Sequence, residues 1–432
     1  MKNGRTVTTP AMPGPAVPPG LASGNETALA SGAEQTAPDS TPDFFGRGGR
    51  AERLVAFITR EHARHQAAVF RIGIAFVLAA SMIREWPHRR MLYGDQAPWA
   101  LDMAGRLLAE NPGFTVLTWW NGRWWFELVY HATIVAAVLL MLGWRTRATS
   151  VFFMIGVLSL GNRNSVVTNG GDCIIQVMAI YLVFTRCGRV WSLDARRNRR
   201  SGTSPAEDRS GYMMWQALGL LLLLTFGVGS EITGWSLLLW GMWAVHGLWW
   251  LVHRRFPHHP ARPLLDAGAQ MLHNCAMFVI AVQICLIYAT AGWYKIQGSL
   301  WQDGTALHYP LQVDYFSPWP SLSDLVASNM IVVFLLSYGT VILQVAFPFV
   351  VLNRRVKNVL IPVMILEHLG IAVLMGLTFF SLAAIVCDMV FLPTAFLLWA
   401  GARCTGSSRR LWERVRGVPG RARSAKEVAA PT

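Results

Sequence analysis

Long apolar runs alternate with short polar connections between residues 51 and 400. A helix needs about 20 mostly apolar residues to cross the ~30 Å hydrocarbon layer of a bilayer. The runs lack the period-two alternation of a membrane barrel strand, so helices are the structure that satisfies their backbone in lipid. The pattern predicts an all-α, polytopic helical bundle of about ten membrane spans, at approximately 67–83, 124–143, 148–161, 173–186, 212–230, 235–252, 271–294, 329–352, 357–376 and 379–399.

The two ends of the chain have a different composition. Residues 1–50 are rich in Pro, Gly, Ala, Ser and Thr, so they bury too little apolar surface to offset the entropy of ordering. Residues 401–432 are basic and polar. We therefore predict a disordered amino-terminal region (1–50), a membrane domain (51–400) and a basic cytoplasmic tail (401–432).

Composition and charge support a membrane protein and orient it. The chain is 53% hydrophobic and 14% charged, with a net charge of +14, whereas an average soluble domain is about 25% charged. The arginines cluster in every second connection, where the positive-inside rule places cytoplasmic charge, so they do not indicate a nucleic-acid partner. We expect a multi-pass protein of the plasma membrane with both termini in the cytoplasm. The first outer loop is the exception to the rule, because it holds Arg84, Arg89, Arg90, Arg106 and Arg123.

Motifs for nucleotide or metal chemistry are missing from the sequence. The six cysteines form no C-x-x-C pair, and there is no Walker loop, G-x-G-x-x-G or H-E-x-x-H. The sequence therefore does not indicate an ATP-driven pump, a nucleotide-dependent oxidoreductase, a thiol–disulfide enzyme or a zinc protease. We predict no metal site.

Polar side chains within the apolar runs are the remaining candidates for chemistry, because each ionisable group is costly in lipid unless it is paired. Glu127 and His131 lie one helical turn apart in the second predicted span, and Asp388 lies at mid-depth in the tenth. The alternative is that such residues only form hydrogen bonds between helices. The candidates that we expect around one outer-facing cavity are Asn162, Asn164, Asp172, Lys295, Glu367 and His368.

The segment Tyr288-Ala-Thr-Ala-Gly-Trp-Tyr-Lys295 is followed by Trp301-Gln-Asp-Gly-Thr305. These residues resemble a motif of the horizontally transferred transmembrane (HTTM) domain family, the membrane part shared with vitamin K-dependent γ-glutamyl carboxylase. In that family an Ala-Gly-x-Lys-Lys stretch ends a helix, and a Trp and a Gly follow. Aligned on Ala291-Gly292, Lys295 takes the place of the second lysine, the catalytic base of the carboxylase. The Asn-rich segment before Asp172 and the block Trp191-Ser-Leu-Asp194 are similar to two further family motifs.

The resemblance implies a site, a cofactor and a partner. Lys295 is expected to be the catalytic base. The motifs add Asn162, Asn164, Asp172, Trp301 and Asp303 as supporting residues, and Glu367 and His368 join them because of their depth in the ninth predicted span. The cofactor implied is a reduced quinone of the vitamin K or menaquinol type. By size the chain is similar to sporulation-delaying protein B, which helps to mature a secreted peptide, so a small secreted peptide is the partner implied. Two departures argue against a propeptide-bearing substrate: no large lumenal domain follows the last span, and Arg163 and Asn164 stand where the carboxylase loop carries a histidine.

The chemistry of Lys295 leaves alternatives open. A lysine at an apolar helix end is partly desolvated, which favours a neutral amine that can take a proton from a quinol. The alternative is that Lys295 only anchors its helix at the headgroup layer. Three functions remain: a carboxylase-like, quinol-linked enzyme that acts on a secreted peptide at the outer face, a non-catalytic membrane partner in the maturation or export of such a peptide, and a quinone or b-haem electron carrier that uses His131 and His368.

Overall fold

The computed structural model describes residues 49, 51–110, 113–200, 209–227, 234–256 and 259–403. Within these ranges the regular structure is helical, as the apolar pattern predicts. The predicted amino-terminal region (1–50) and carboxyl tail (401–432) lie almost wholly outside the described residues. The helices are α1 (Ala51–Thr59), α2 (Arg64–Glu85), α3 (Arg89–Leu92), α4 (Leu101–Glu110), α5 (Arg123–Leu142), α6 (Thr146–Arg163), α7 (Gly170–Val183), α8 (Leu193–Arg200), α9 (Arg209–Gly227), α10 (Gly234–Arg255), α11 (Ala261–Gln297), α12 (Ser299–Gln302), α13 (His308–Leu311), α14 (Pro320–Ala327), α15 (Met330–Val350), α16 (Arg354–Leu374), α17 (Thr378–Asp388) and α18 (Thr394–Arg403).

The first nine predicted spans each fall on one helix and the tenth falls on two, but the helices differ in how well they suit a bilayer. In the described part of the chain, six are long and apolar enough to cross it: Ala56–Leu92, Arg123–Leu142, Gly234–Val252, Ala261–Gln297, Met330–Val350 and Arg354–Leu374. Helix α7 has 14 residues, too few to span ~30 Å of hydrocarbon at 1.5 Å per residue without a thinner bilayer. The fold is thus an all-α polytopic bundle, and the count of ten spans stays a prediction.

The tenth predicted span, 379–399, is not a straight helix. A bend of 117° separates Thr378–Phe391 from Thr394–Arg403. Pro393 lies in the break, and Leu392 before it is extended (φ −65°, ψ 142°). A proline ring disfavours helical geometry in the preceding residue and supplies no N–H to continue the helix, so the apolar run is broken into two helices.

Helix α2 lies at the centre of the bundle, between α5 and α17. Its fully buried Arg71 donates hydrogen bonds to the carbonyl of Leu140, to that of Met141 (2.7 Å) and to that of Trp191 (2.8 Å). Leu140 and Met141 are in the last turn of α5, where the carbonyls lack the N–H donors of a further helical turn, and the Leu140 carbonyl also accepts from the Gly143 N–H at 3.0 Å. The buried guanidinium therefore satisfies a helix end and ties α5 to the block that begins at Trp191.

That block, Trp191 to Asp194, closes the same end of the bundle. The Asp194 carboxylate accepts hydrogen bonds from the N–H groups of Arg145 (2.9 Å) and Thr146 (2.8 Å) and from the Thr146 hydroxyl (3.0 Å). It thereby caps the start of α6, where the helix dipole also stabilises a negative charge. We call Arg71 and Asp194, with the helix ends that they bind, the inner clamp.

Candidate functional site

A cavity of about 330 Å³ lies among α7, α11, α15, α16 and α17. Its walls are mostly apolar, with residues such as Ile174, Ile284 and Phe380, and a few polar side chains converge on it. A concave, mainly apolar space with a few placed polar groups is the usual form of a small-molecule site. The polar side chains that line it are Gln283, Tyr288, Lys295, Gln344 and His368.

Lys295 reaches this cavity from the last turn of α11. Its Nζ donates to Gln344 Oε1 at 2.9 Å, and Gln344 Nε2 in turn donates to Glu367 Oε1 at 3.0 Å. The Trp301 ring lies beside the same amine, with 5.2 Å between Nζ and the ring centroid. The direct hydrogen-bond partner is thus a neutral amide, and the carboxylate lies one residue further away. Such an arrangement holds the amine in place without pairing it directly with a negative charge.

The glycines of the motif explain how α11 comes to lie there. A Cβ on Gly292 would lie 2.7 Å from Val345 Cγ2 and 3.1 Å from Val345 N. Only a residue without a side chain lets α11 pack this closely against α15, which carries Gln344. Gly304 has φ +72°, and a Cβ there would lie 2.5 Å from the Phe334 ring, so both the backbone conformation and the space favour glycine.

A second polar group borders the same cavity. The Tyr288 hydroxyl donates to Asp388 Oδ1 at 2.9 Å and lies 3.0 Å from His368 Nε2. Tyr288, His368 and Asp388 are all buried. When the hydroxyl hydrogen goes to Asp388, a neutral His368 ring with its proton on Nε2 donates to the Tyr288 oxygen, and its Nδ1 is then an acceptor. Among the described residues, neither His368 Nδ1 nor Asp388 Oδ2 has a hydrogen-bond partner.

Buried polar atoms in folded proteins almost always have partners. His368 Nδ1 and Asp388 Oδ2 are therefore able to bind a further polar group. His368 itself lines the cavity, so its Nδ1 is the better placed of the two to accept a hydrogen bond from a ligand hydroxyl.

The supporting residues expected from the sequence divide into two groups. Trp301, Glu367 and His368 join Lys295, as described above. Asp303 is exposed. Asn162 donates to the Phe114 carbonyl (2.9 Å) and Asn164 to the Leu92 carbonyl (2.7 Å). These two amides hold the loop between α3 and α5 and do not line the cavity.

Asp172 belongs to the first turn of α7 and points elsewhere. Its carboxylate accepts the Asn169 N–H at 2.9 Å, and the Asn169 side chain accepts from Gly171 and Asp172, which forms a capping box. Asp172 also lines a separate space of about 30 Å³ with Glu85 and Tyr93. Its helix contributes Gly170 and Cys173 to the Lys295 cavity, but the carboxylate itself does not line it.

Two arginines of the predicted first outer loop are paired with carboxylates. Arg89 binds Glu127 through two hydrogen bonds of 2.9 and 3.0 Å. Arg90 binds Asp95 in the same bidentate way, and this guanidinium lowers the pKa of the Asp95 carboxyl. His131 Nε2 accepts from the Trp86 indole at 3.0 Å and does not line the cavity that His368 lines. His131 and His368 therefore do not share a cavity, as the two axial histidines of a haem would have to.

Sequence reasoning missed Gln344, the residue that links Lys295 to Glu367. A signal was available, since Gln344 interrupts the apolar run Met330–Val350 and a polar side chain at that depth needs a partner. The sequence places Asp388 at mid-depth in a span and Tyr288 in the motif, but it does not show that the two form a hydrogen bond at the cavity. Across the described residues, no group of three or more His, Cys, Asp or Glu side chains is placed to hold a metal ion.

Comparison with known proteins identifies the central helices. Residues 59–226 match the HTTM domain, the membrane domain family of vitamin K-dependent carboxylase. This range includes the inner clamp, and the Lys295 segment follows after it. No curated protein and no solved structure matches the chain.

Proposed function

We propose that this integral membrane protein, whose residues 59–226 are an HTTM domain, is a quinol-linked enzyme that acts on a secreted peptide at the outer membrane face. Lys295 is its base. The observation that carries the proposal is the position of the Lys295 amine at an apolar cavity of about 330 Å³, bound to a neutral amide. The peptide substrate rests on the family resemblance.

The residues of the cavity suit a reduced quinone. Its ring and isoprenoid chain need apolar walls, and its two hydroxyls need acceptors. Lys295 as a neutral amine and His368 Nδ1, which has no partner among the described residues, are acceptors that belong to one cavity. When bound, a reduced quinone with molecular oxygen would supply the strong base that removes a carbon-bound proton from the peptide.

The protein's own side chains remove and hold the proton of a ligand hydroxyl. The neutral Lys295 amine accepts this hydroxyl proton at the cavity and becomes an ammonium. Gln344 Oε1, 2.9 Å away, accepts a hydrogen bond from either form of the amine. Glu367, bound to Gln344 at 3.0 Å, fixes the orientation of the amide, so that its oxygen faces Lys295. The apolar walls exclude water, which strengthens each of these interactions.

One observation favours the non-catalytic alternative. The Trp301 ring, 5.2 Å from Nζ, is suited to hold an ammonium by a cation–π interaction. A permanently charged Lys295 would then be an anchor for α11 and α12 at the membrane surface. The catalytic and the anchoring interpretations differ in whether the Lys295 amine must become neutral.

Substitution by arginine separates them. We expect the full-length protein, reconstituted in liposomes with a reduced menaquinone, to consume the quinol in an oxygen-dependent reaction. Lys295→Arg keeps the charge and the reach but cannot be deprotonated, so this reaction should be lost while thermal stability is kept. Lys357→Arg is the matched control, because Lys357 binds Asn358 (3.0 Å) at the start of α16 and does not line the cavity. Wild-type turnover in Lys295→Arg would contradict the catalytic role and leave the anchor.

A further inference from the structure

Helix α14, in the connection between α11 and α15, turns one side to the protein and leaves the rest of its surface exposed. Consecutive residues of a helix point about 100° apart, so side chains three or four positions apart share a side. The buried side holds Ser323 and Ala327, which are 1% and 3% exposed. The Ala327 carbonyl accepts a hydrogen bond from His308 Nδ1 at 3.1 Å, which ties the end of α14 to α13.

The exposed surface of α14 is divided again, into an apolar and a polar side. Leu322 and Leu325, three positions apart, are 36% and 69% exposed. Ser321 and Asp324, also three positions apart, are exposed as well. A helix on a water-soluble protein needs only a buried and a polar side. The third, apolar side suits a helix that lies where protein, hydrocarbon and water meet.

The position of α15 places α14 at such a boundary. Helix α15 has 21 residues and is apolar enough to cross a bilayer. At 1.5 Å per residue it is about 32 Å long, little more than the ~30 Å of hydrocarbon that it has to cross. Its first residues, Met330 and the 72% exposed Ile331, therefore lie at one edge of the hydrocarbon. Only Ser328 and Asn329 separate Met330 from α14, and such a connection spans at most about 11 Å.

The residues around α14 agree with this location and indicate which force holds it there. Tyr315 and Trp319 precede α14 and are 83% and 62% exposed, and these two residue types are enriched at membrane–water interfaces. The sequence has no Lys or Arg between residues 296 and 353, so this surface does not depend on attraction to anionic headgroups. Burial of apolar side chains is the driving force that remains.

We infer that α14 lies in the phospholipid headgroup layer and buries Leu322 and Leu325 against the acyl chains. Ser321 and Asp324 then face water. The partner of the apolar side is thus the bilayer itself, in the leaflet that the charge pattern predicts to be the outer one. The short connection to α15 selects this partner over a second protein chain, because it keeps both leucines next to lipid. The inference does not depend on the proposed enzymatic function.

The test measures which medium surrounds each side of α14. The full-length protein, with its native cysteines replaced, receives one nitroxide spin label and is reconstituted in phosphatidylcholine liposomes. Oxygen, which concentrates in hydrocarbon, and a water-soluble nickel chelate each relax the label according to their local concentration. The ratio of oxygen to nickel accessibility should be several-fold higher for labels at Leu322→Cys and Leu325→Cys than for labels at Ser321→Cys and Asp324→Cys.

Two exposed positions outside α14 serve as references: Ile331→Cys for lipid and Asp303→Cys for water. A label at Leu325 that responds to nickel as strongly as the one at Asp303 would show water on the apolar side and refute the inference. A label there that neither reagent reaches would show that another protein chain or a second copy covers the leucines, which would refute the bilayer as the partner.

Lipid charge gives a separate check on the driving force. Adding phosphatidylglycerol to the liposomes should leave the pattern unchanged, because the segment from residue 296 to residue 353 has no Lys or Arg. A label at Leu325 that reaches the hydrocarbon only when phosphatidylglycerol is present would show that charge holds α14 at the membrane, and would overturn the apolar basis of the proposal.

Discussion

Replacing Gly292 by alanine tests how the site is assembled, because the change adds one methyl group between α11 and α15. The new Cβ would lie 2.7 Å from Val345 Cγ2 and 3.1 Å from Val345 N. Carbon atoms in contact prefer about 3.5–4.0 Å, so the helices must separate by roughly 1 Å. The valine cannot turn away easily, since a β-branched side chain in a helix has one strongly preferred rotamer.

The consequence for the site follows from the same displacement. The hydrogen bond from Lys295 Nζ to Gln344 Oε1 is 2.9 Å, and a separation of roughly 1 Å lengthens it beyond the range of a hydrogen bond. Overpacking of this kind destabilises by about 1–3 kcal/mol, and a misplacement of about 1 Å can lower a rate on the order of 100-fold.

Two assays measure these effects: thermal unfolding in detergent and oxygen-dependent quinol consumption in liposomes. Gly339→Ala is the control, because it lies on the same α15 and its Cβ would meet no atom within 4 Å. It should be neutral or slightly stabilising. A Gly292→Ala protein with wild-type stability and wild-type turnover would refute the argument that this glycine sets the distance between Lys295 and Gln344.

Three further predictions concern the rest of the fold. Arg71→Met leaves helix-end carbonyls such as that of Met141 buried without a donor. It should lower the free energy of unfolding by roughly 3 kcal/mol or more, measured by chemical denaturation in detergent. A smaller loss of stability than that from Arg196→Met would contradict the role of the inner clamp. Glu127→Gln should lower stability by about 1 kcal/mol, because it weakens the pair with Arg89, and should leave quinol consumption unchanged; a loss of turnover at wild-type stability would give Glu127 a catalytic part. Cysteine at the exposed Ser321, with the native cysteines removed, should react with a membrane-impermeant thiol reagent in intact cells; labelling only after lysis would overturn the predicted orientation.

The helices were predictable because membrane spans leave a strong one-dimensional signal. Nine of the ten predicted spans each fall on one helix, and the deviations have local causes. Pro393 breaks the last run and forces Leu392 into an extended conformation. Helix α7, at the fourth predicted span (173–186), has 14 residues, as short as the apolar run itself.

The partners of the candidate residues were harder to predict, because a residue's depth in a span says little about the direction in which its side chain points. Glu367 and His368 are adjacent, yet consecutive residues of a helix point about 100° apart. Glu367 therefore binds Gln344, whereas His368 binds Tyr288. Their shared depth predicts a single polar group. It does not show that Glu367 and His368 belong to two separate groups of hydrogen-bonded residues.

The Asn-rich segment shows a different limit. The resemblance to the carboxylase suggested that Asn162 and Asn164 support the site, but each donates to a backbone carbonyl of the first outer loop. A loop of that length needs partners for its buried carbonyls, and nothing in the sequence indicated that these amides would supply them. Gln344 shows the opposite case. Its polar side chain interrupts an apolar run, and this alone indicates that the residue has a polar partner.

The central claim is that the Lys295 amine removes a proton at the apolar cavity. The most direct measurement is the rate of oxygen-dependent quinol consumption by Lys295→Ala in liposomes as small primary amines are added. If the amine is a general base, the variant should be inactive alone. Added amines should then restore turnover in proportion to their concentration, with rates that increase with the basicity of the amine. A well-folded Lys295→Ala protein that consumes quinol at the wild-type rate, or one whose rate no amine restores, would contradict the account.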